Sequence, residues 1–109
     1  MALFTSNGRL EHDFAAPIDA VRATIERVAA NEGHHLGSIS QDRGRYELTT
    51  KRTAFNWGTA IALTLMQNGP GTRVVLDYDT SPGAPKALLD GRKNTKAAQQ
   101  FLDKLLAAL

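Results

Sequence analysis

Two histidines stand side by side at His34 and His35, a third lies at His12, and two aspartates sit one residue apart at Asp77 and Asp79. Imidazoles can ligate a metal or carry a proton, and paired carboxylates can share a divalent cation. The spacing argues against both uses. Adjacent residues of an extended strand point to opposite faces, so the rings of His34 and His35 converge poorly on one ion. A zinc site also needs more ligands than their neighbourhood supplies. We read both as solvated loop histidines. His12 shares a face with Leu10 and Phe14 and reads as a boundary imidazole satisfied by one hydrogen bond. Asp77 and Asp79 fall about 6–7 Å apart on one strand face. With Asp90 they could hold a cation, but a solvated polar face paired to Arg73 is the simpler reading. No Ser-His-Asp spacing is visible, and "GPG" and "DGRKN" lack the strand-to-helix glycine pattern of a phosphate loop. The chain has no cysteine, which removes thiolate nucleophiles, thiolate metal sites and disulfides. The residues therefore point to no catalytic group, no metal and no cofactor, and lean away from an enzyme.

Charge narrows the field further. Thirteen Lys and Arg oppose eleven Asp and Glu, for a net charge of +2. Arg43, Arg45, Lys51 and Arg52, with Lys86, Arg92, Lys93 and Lys96, could track a phosphate backbone. Lys51 and Arg52 point to opposite faces, however, and the single Trp, two Tyr and four Phe fall mostly on apolar stripes rather than on a stacking surface. Nucleic-acid binding is thus a weak alternative. "MALFTSNGRLEHDF" has no basic start followed by an apolar run, so it does not read as a signal peptide. No run approaches the ~18 apolar residues of a membrane helix. The expected location is the cytoplasm.

The elements that must position these groups are legible from periodicity. At 109 residues the expectation is one domain, 1–109. "GRLEHDF" alternates as a half-buried strand. In "AAPIDAVRATIERVAANEG", Pro17 suits a first helical position and Asp19 favours the first turn. Ile18, Val21, Ile25, Val28 and Ala29 make one stripe, and Gly33 is a natural left-handed cap, so a helix is predicted over 17–32. Short strands are predicted near 35–41 and 45–52 around an Asp42-Arg43-Gly44 turn. In "WGTAIALTLM", Trp57, Thr59, Ile61, Leu63 and Leu65 are heavy, and Gly58, Ala60, Ala62, Thr64 and Met66 are light. A four-residue connection at 68–71 sets Leu65 opposite Val74, Leu63 opposite Leu76 and Ile61 opposite Tyr78. It gathers all the bulk on one face, and each buried large side chain is worth roughly 1.5–3 kcal/mol. Arg73, Val75, Asp77 and Asp79 then face outward. A terminal helix over 91–108 carries the stripe Ala98, Phe101, Leu102, Leu105, Leu106 and Leu109. The predicted fold is α+β: an antiparallel sheet of about five strands in the order strand, helix, four strands, helix, with both helices on one face.

"HDFAAPIDAVRATI" resembles the opening of START-like, polyketide-cyclase-like helix-grip proteins. There a strand ends in an aromatic residue, an Ala-Pro step follows, and a helix begins with a buried Val; Phe14, Pro17 and Val21 match those places. "GTRVVLDYD", then "LLDGRKN" and a terminal helix, are similar to small bacterial domains of this shape. The resemblance implies a sheet gripping a C-terminal helix. Members commonly carry more strands and a second short helix, so it implies a reduced ligand cavity here, and it brings no family-wide catalytic residue. The leading expectation is a non-catalytic module that holds a small apolar molecule or acyl chain between the sheet and the last helix, lined by Tyr46, Trp57, Tyr78 and Phe101. The alternative is homodimerisation or protein interaction through the light face of Gly58, Ala60, Ala62 and Thr64.

Overall fold

A computed structural model describes residues 7–51, 58–80 and 90–109. Trp57, Phe55, Arg52 and Lys86 lie outside these described residues. The chain forms β1 (Gly8–Phe14), α1 (Ile18–Asn31), β2 (His35–Ile39), β3 (Arg45–Thr49), β4 (Thr59–Asn68), β5 (Gly71–Thr80) and α2 (Asp90–Ala108). The five strands build one sheet in the order β1-β5-β4-β3-β2. Every neighbouring pair is antiparallel. The expected α+β architecture is therefore the observed one.

Bulk decides the register. Leu65 pairs with Val74, Leu63 with Leu76 and Ile61 with Tyr78, as burial of the heavy face requires. Gly69, at φ 60°, makes this hairpin tight. A left-handed first turn residue followed by Pro70, with its fixed negative φ, is the pattern of a type II′ turn. The heavy face is buried against both helices. Ile61, Leu63, Leu65, Val74 and Leu76 join Val21, Ile25 and Val28 of α1 and Ala98, Phe101, Leu102 and Leu105 of α2 in one core. Val75 departs from the expected outward, exposed row, because it is buried. β5 is flanked on both sides, and Val75 stands between Glu11 of β1 and Thr64 of β4 in the ladder.

The end of α1 sets the course of the chain into β2. The Gly33 N–H donates to the Ala30 carbonyl at 3.2 Å and the His34 N–H to the Ala29 carbonyl at 2.9 Å. Gly33 has φ 73°. These are the two hydrogen bonds of a Schellman cap, which turns the chain sharply back across the helix end. The cap delivers His34 against the sheet and α2 instead of into a free loop.

At the other end of β2, a turn is tied to α1. Asp42 Oδ1 accepts from Ser40 Oγ at 2.7 Å and from the Gly44 N–H at 2.9 Å. Both contacts hold the Asp42 carboxyl below the usual carboxylate range. Arg22 Nε donates to the Arg43 carbonyl at 3.1 Å.

Candidate functional site

A groove of about 540 Å³ opens where the α1–β2 turn, the end of β3 and one side of α2 meet. Its principal walls are Glu32, His34, Thr50, Lys51, Phe101 and Lys104. On α2, Ala97, Phe101 and Lys104 follow the three- and four-residue spacing that puts them on one side of a helix. Phe101 is almost wholly buried at the foot of the groove. The His34 ring lies 5.8 Å from it, centre to centre, tilted by 49°. The Lys51 backbone N–H donates to His34 Nδ1 at 2.9 Å. Burial pushes the His34 imidazole below its ordinary pKa, partly opposed by the carboxylate of Glu32. Across the mouth, Lys104 Nζ stands 3.7 Å from Glu32 Oε2 and bridges the two helices.

A polar belt holds the same end of the sheet to α2. Thr59 Oγ1 donates to Asn94 Oδ1 at 2.8 Å, and Asn94 Nδ2 donates to Thr80 Oγ1 at 3.2 Å. The Thr59 N–H donates to Thr50 Oγ1 at 2.7 Å. Thr50, Thr59 and Asn94 are buried, so these bonds meet the requirement that buried polar groups be paired.

The four aromatic residues singled out from sequence do not converge on one pocket among the described residues. Phe101 lines the groove. Tyr46 is wholly buried in the core, and its hydroxyl donates to Glu26 Oε2 at 2.8 Å. Glu26 also accepts from Arg43. The Tyr46 hydroxyl first, then the Arg43 guanidinium, hold the Glu26 carboxyl below its ordinary range. Burial, then the Glu26 carboxylate, push the Tyr46 hydroxyl up. Tyr78 is half-buried and its ring lies across Gly8. Its hydroxyl meets Thr95 Oγ1 at 2.7 Å. Trp57 is outside the described residues.

His34 departs from the sequence-based expectation. It is half-buried and packed beside Phe101, whereas its neighbour His35 is exposed. The signal for this is Gly33: a left-handed cap throws the next residue back over the helix end. His12 meets Phe14 edge-on at 4.7 Å. The outward aspartates also pair differently from expectation. Asp77 takes Arg9 at 2.7 Å, and Arg73 reaches Asp13 at 2.9 Å. The cause is register: Arg9 stands directly opposite Asp77, and Asp13 opposite Arg73. Arg73 accordingly holds the Asp13 carboxyl below its usual range. Among the described residues, no three His, Asp or Glu side chains gather into a set that could hold a metal.

On the outer sheet face lies an open trough of about 530 Å³. Ala60 and Ala62 form its floor, with Glu47, Thr49, Asp77 and Asp79 around them. No described helix is long and apolar enough to cross a membrane.

The sheet that curls over α2, with α1 beside it, defines the helix-grip, START-like fold. Solved structures agree on this architecture. Protein Ms6760 from Mycobacterium smegmatis superposes with a TM-score of 0.62 at 11% identity, covering 96% of this chain and 91% of its own. CalU16 from Micromonospora echinospora gives 0.57 at 15% identity, covering 93% and 76%. Ara h 8.0201 gives 0.58 at 12% identity, covering 93% and 96%. At such identities the likeness establishes the fold. No family model and no curated protein matches the chain.

Proposed function

We propose that the chain is a non-catalytic binding module for a small apolar molecule, taken into the groove between the end of β3 and α2. One observation carries this reading: two rings, His34 and Phe101, stand together at the foot of a groove of about 540 Å³. That size lies within the range of small-molecule sites, about 300–1,000 Å³. The groove follows the seam between sheet and terminal helix, the region to which the family resemblance assigns a ligand. Deeper in that seam, Leu63, Leu76, Phe101 and Leu105 are all buried against one another's elements. The ligand is therefore held at the side of α2 and not beneath it. Of the aromatic residues expected to line the site, Phe101 forms its base and Tyr46 and Tyr78 brace the elements around it. Trp57 is proposed as a further liner. The test is titration of the ¹⁵N-labelled chain with fatty acids of several lengths and with planar aromatic compounds. Saturable shifts at His34, Lys51, Ala97, Phe101 and Lys104 are expected. An absence of saturable shifts across the panel overturns the reading.

The outer trough supports a second reading, self-association. Its alanine floor lets another backbone approach closely. Its Asp77 and Glu47 hold Arg9 and Arg45 in ion pairs, so those two cations are not free to track a phosphate backbone at this face.

A further inference from the structure

His34 Nδ1 accepts the Lys51 N–H, so the ring is neutral and carries its proton on Nε2. No described residue accepts a hydrogen bond from that Nε2–H, although His34 lines the groove. The charged groups around it belong to three elements. On α2, Lys104 faces Glu32 at 3.7 Å, and Asp103 accepts from Gln99 at 3.0 Å. Glu32 itself closes α1. Lys51, beyond β3, has an exposed side chain and forms no ion pair among the described residues. The groove thus offers an apolar base, the His34 N–H beside it, and at the rim the Gln100 amide and two ammoniums, Lys104 paired with Glu32 and Lys51 outside any ion pair among the described residues.

We propose that His34 selects among the ligands of this groove by donating its Nε2–H to an oxygen acceptor, a carbonyl or carboxylate, on a planar molecule seated against Phe101. The proposal rests on the groove being the ligand site and adds the chemical class of ligand. A hydrocarbon leaves the donor unmet. A ketone satisfies it. A carboxylate satisfies it and also meets the Lys51 ammonium. One net hydrogen bond corresponds to about three- to tenfold in affinity.

The experiment titrates the full chain with 2-ethylnaphthalene, 2-acetylnaphthalene and 2-naphthoate, which share a ring system and differ in the acceptor. Backbone shifts locate binding, and the side-chain ¹⁵N signals of His34 report its tautomer and its donor. The ketone and the carboxylate are expected to bind about three- to tenfold tighter than the hydrocarbon, with the Nε2 signal moving only for those two. His34→Asn places Oδ1 near the position of Nδ1, keeps an acceptor for Lys51 and does not reach the place of Nε2. In that variant the ketone should fall to the affinity of the hydrocarbon, and the carboxylate should keep only what the Lys51 ammonium contributes. Equal wild-type affinities for all three compounds, with shifts at the groove, overturn the role of His34 and leave the groove as a site. No binding, or shifts elsewhere, overturns both. The wild-type ratios and the Nε2 signal decide the matter even if the variant folds poorly.

Discussion

Replacing Tyr46 with Phe removes one oxygen from a ring that is wholly buried. That oxygen donates to Glu26 Oε2 at 2.8 Å. A hydrogen bond to a charged acceptor contributes about 1.5–3 kcal/mol. The Glu26 side chain is 37% exposed, so water replaces part of what is lost, and Arg43 remains in place. We therefore expect a loss of about 1–2 kcal/mol at neutral pH. For a domain of this size that lowers Tm by roughly 4–16 °C. Urea unfolding should show a lower midpoint at unchanged slope. The pH dependence sharpens the test. Tyr46 is the main reason that the Glu26 carboxyl lies below its ordinary range, with Arg43 second. A depressed carboxyl contributes stability that is fully present above its unfolded value, about 4.3, and is lost as pH falls through the folded value. The gap between wild type and Tyr46→Phe should be widest near neutrality and shrink below about pH 4. Affinity for groove ligands should stay unchanged, since Tyr46 acts as a strut between β3 and α1. A gap under about 0.5 kcal/mol at pH 7, or one constant down to pH 3, refutes the reasoning. So does a variant that keeps its stability but loses ligand affinity.

Other perturbations test other parts of the structure. Gly58 has φ 88°, and a Cβ there would drive into the Thr50 carbonyl oxygen. Gly58→Ala should therefore cost at least about 2 kcal/mol, read as a lower urea midpoint. The His34 imidazole lies below its ordinary pKa chiefly through burial. The unfolded chain thus takes up the proton first, and stability should decline as pH falls through about 6.5 until the folded value is passed. His34→Asn should flatten that slope between pH 8 and 5 in urea titrations. If the outer trough mediates self-association, sedimentation velocity should show a dimer that Ala62→Arg dissociates. A monomer at all accessible concentrations removes that reading.

The order of elements, the register of β4 on β5 and both helices can be read from the sequence because one physical term dominates them. Burying Ile61, Leu63, Val74 and Leu76 together outweighs any turn preference, and a slip of one residue would expose them all. The stripe of α1 and the Gly33 cap are equally plain. The site is only partly legible. Phe101 follows from helical spacing, but the same spacing does not distinguish a core residue from a groove liner, and the residue serves as both. Tyr46 reads as a pocket residue because alternation gives its face and says nothing of its partner. The Glu26 contact joins residues twenty positions apart, and nothing local in either segment announces it. For His34, strand alternation misleads because it applies only one residue later. β2 begins at His35, and the preceding residue belongs to the cap.

The distribution of buried polar groups marks out the end of the sheet where the proposed site lies. Five polar residues are buried among those described: Thr24, Thr50, Thr59, Thr72 and Asn94. Three of them, Thr50, Thr59 and Asn94, join the belt beside the groove, and the His34–Lys51 contact lies next to it. Burying such groups costs more than it returns unless every partner is in place. Aliphatic residues would close that end at least as well. What the belt supplies instead is direction. It fixes the start of α2 against the ends of β3, β4 and β5, and so fixes the rotation of α2 that turns Phe101 toward His34. A small rotation of α2 would carry Phe101 away from His34 and leave the groove without its base. Asn94 and Thr59 thus act on the site through geometry alone, and substituting either should weaken groove binding without removing a ligand contact.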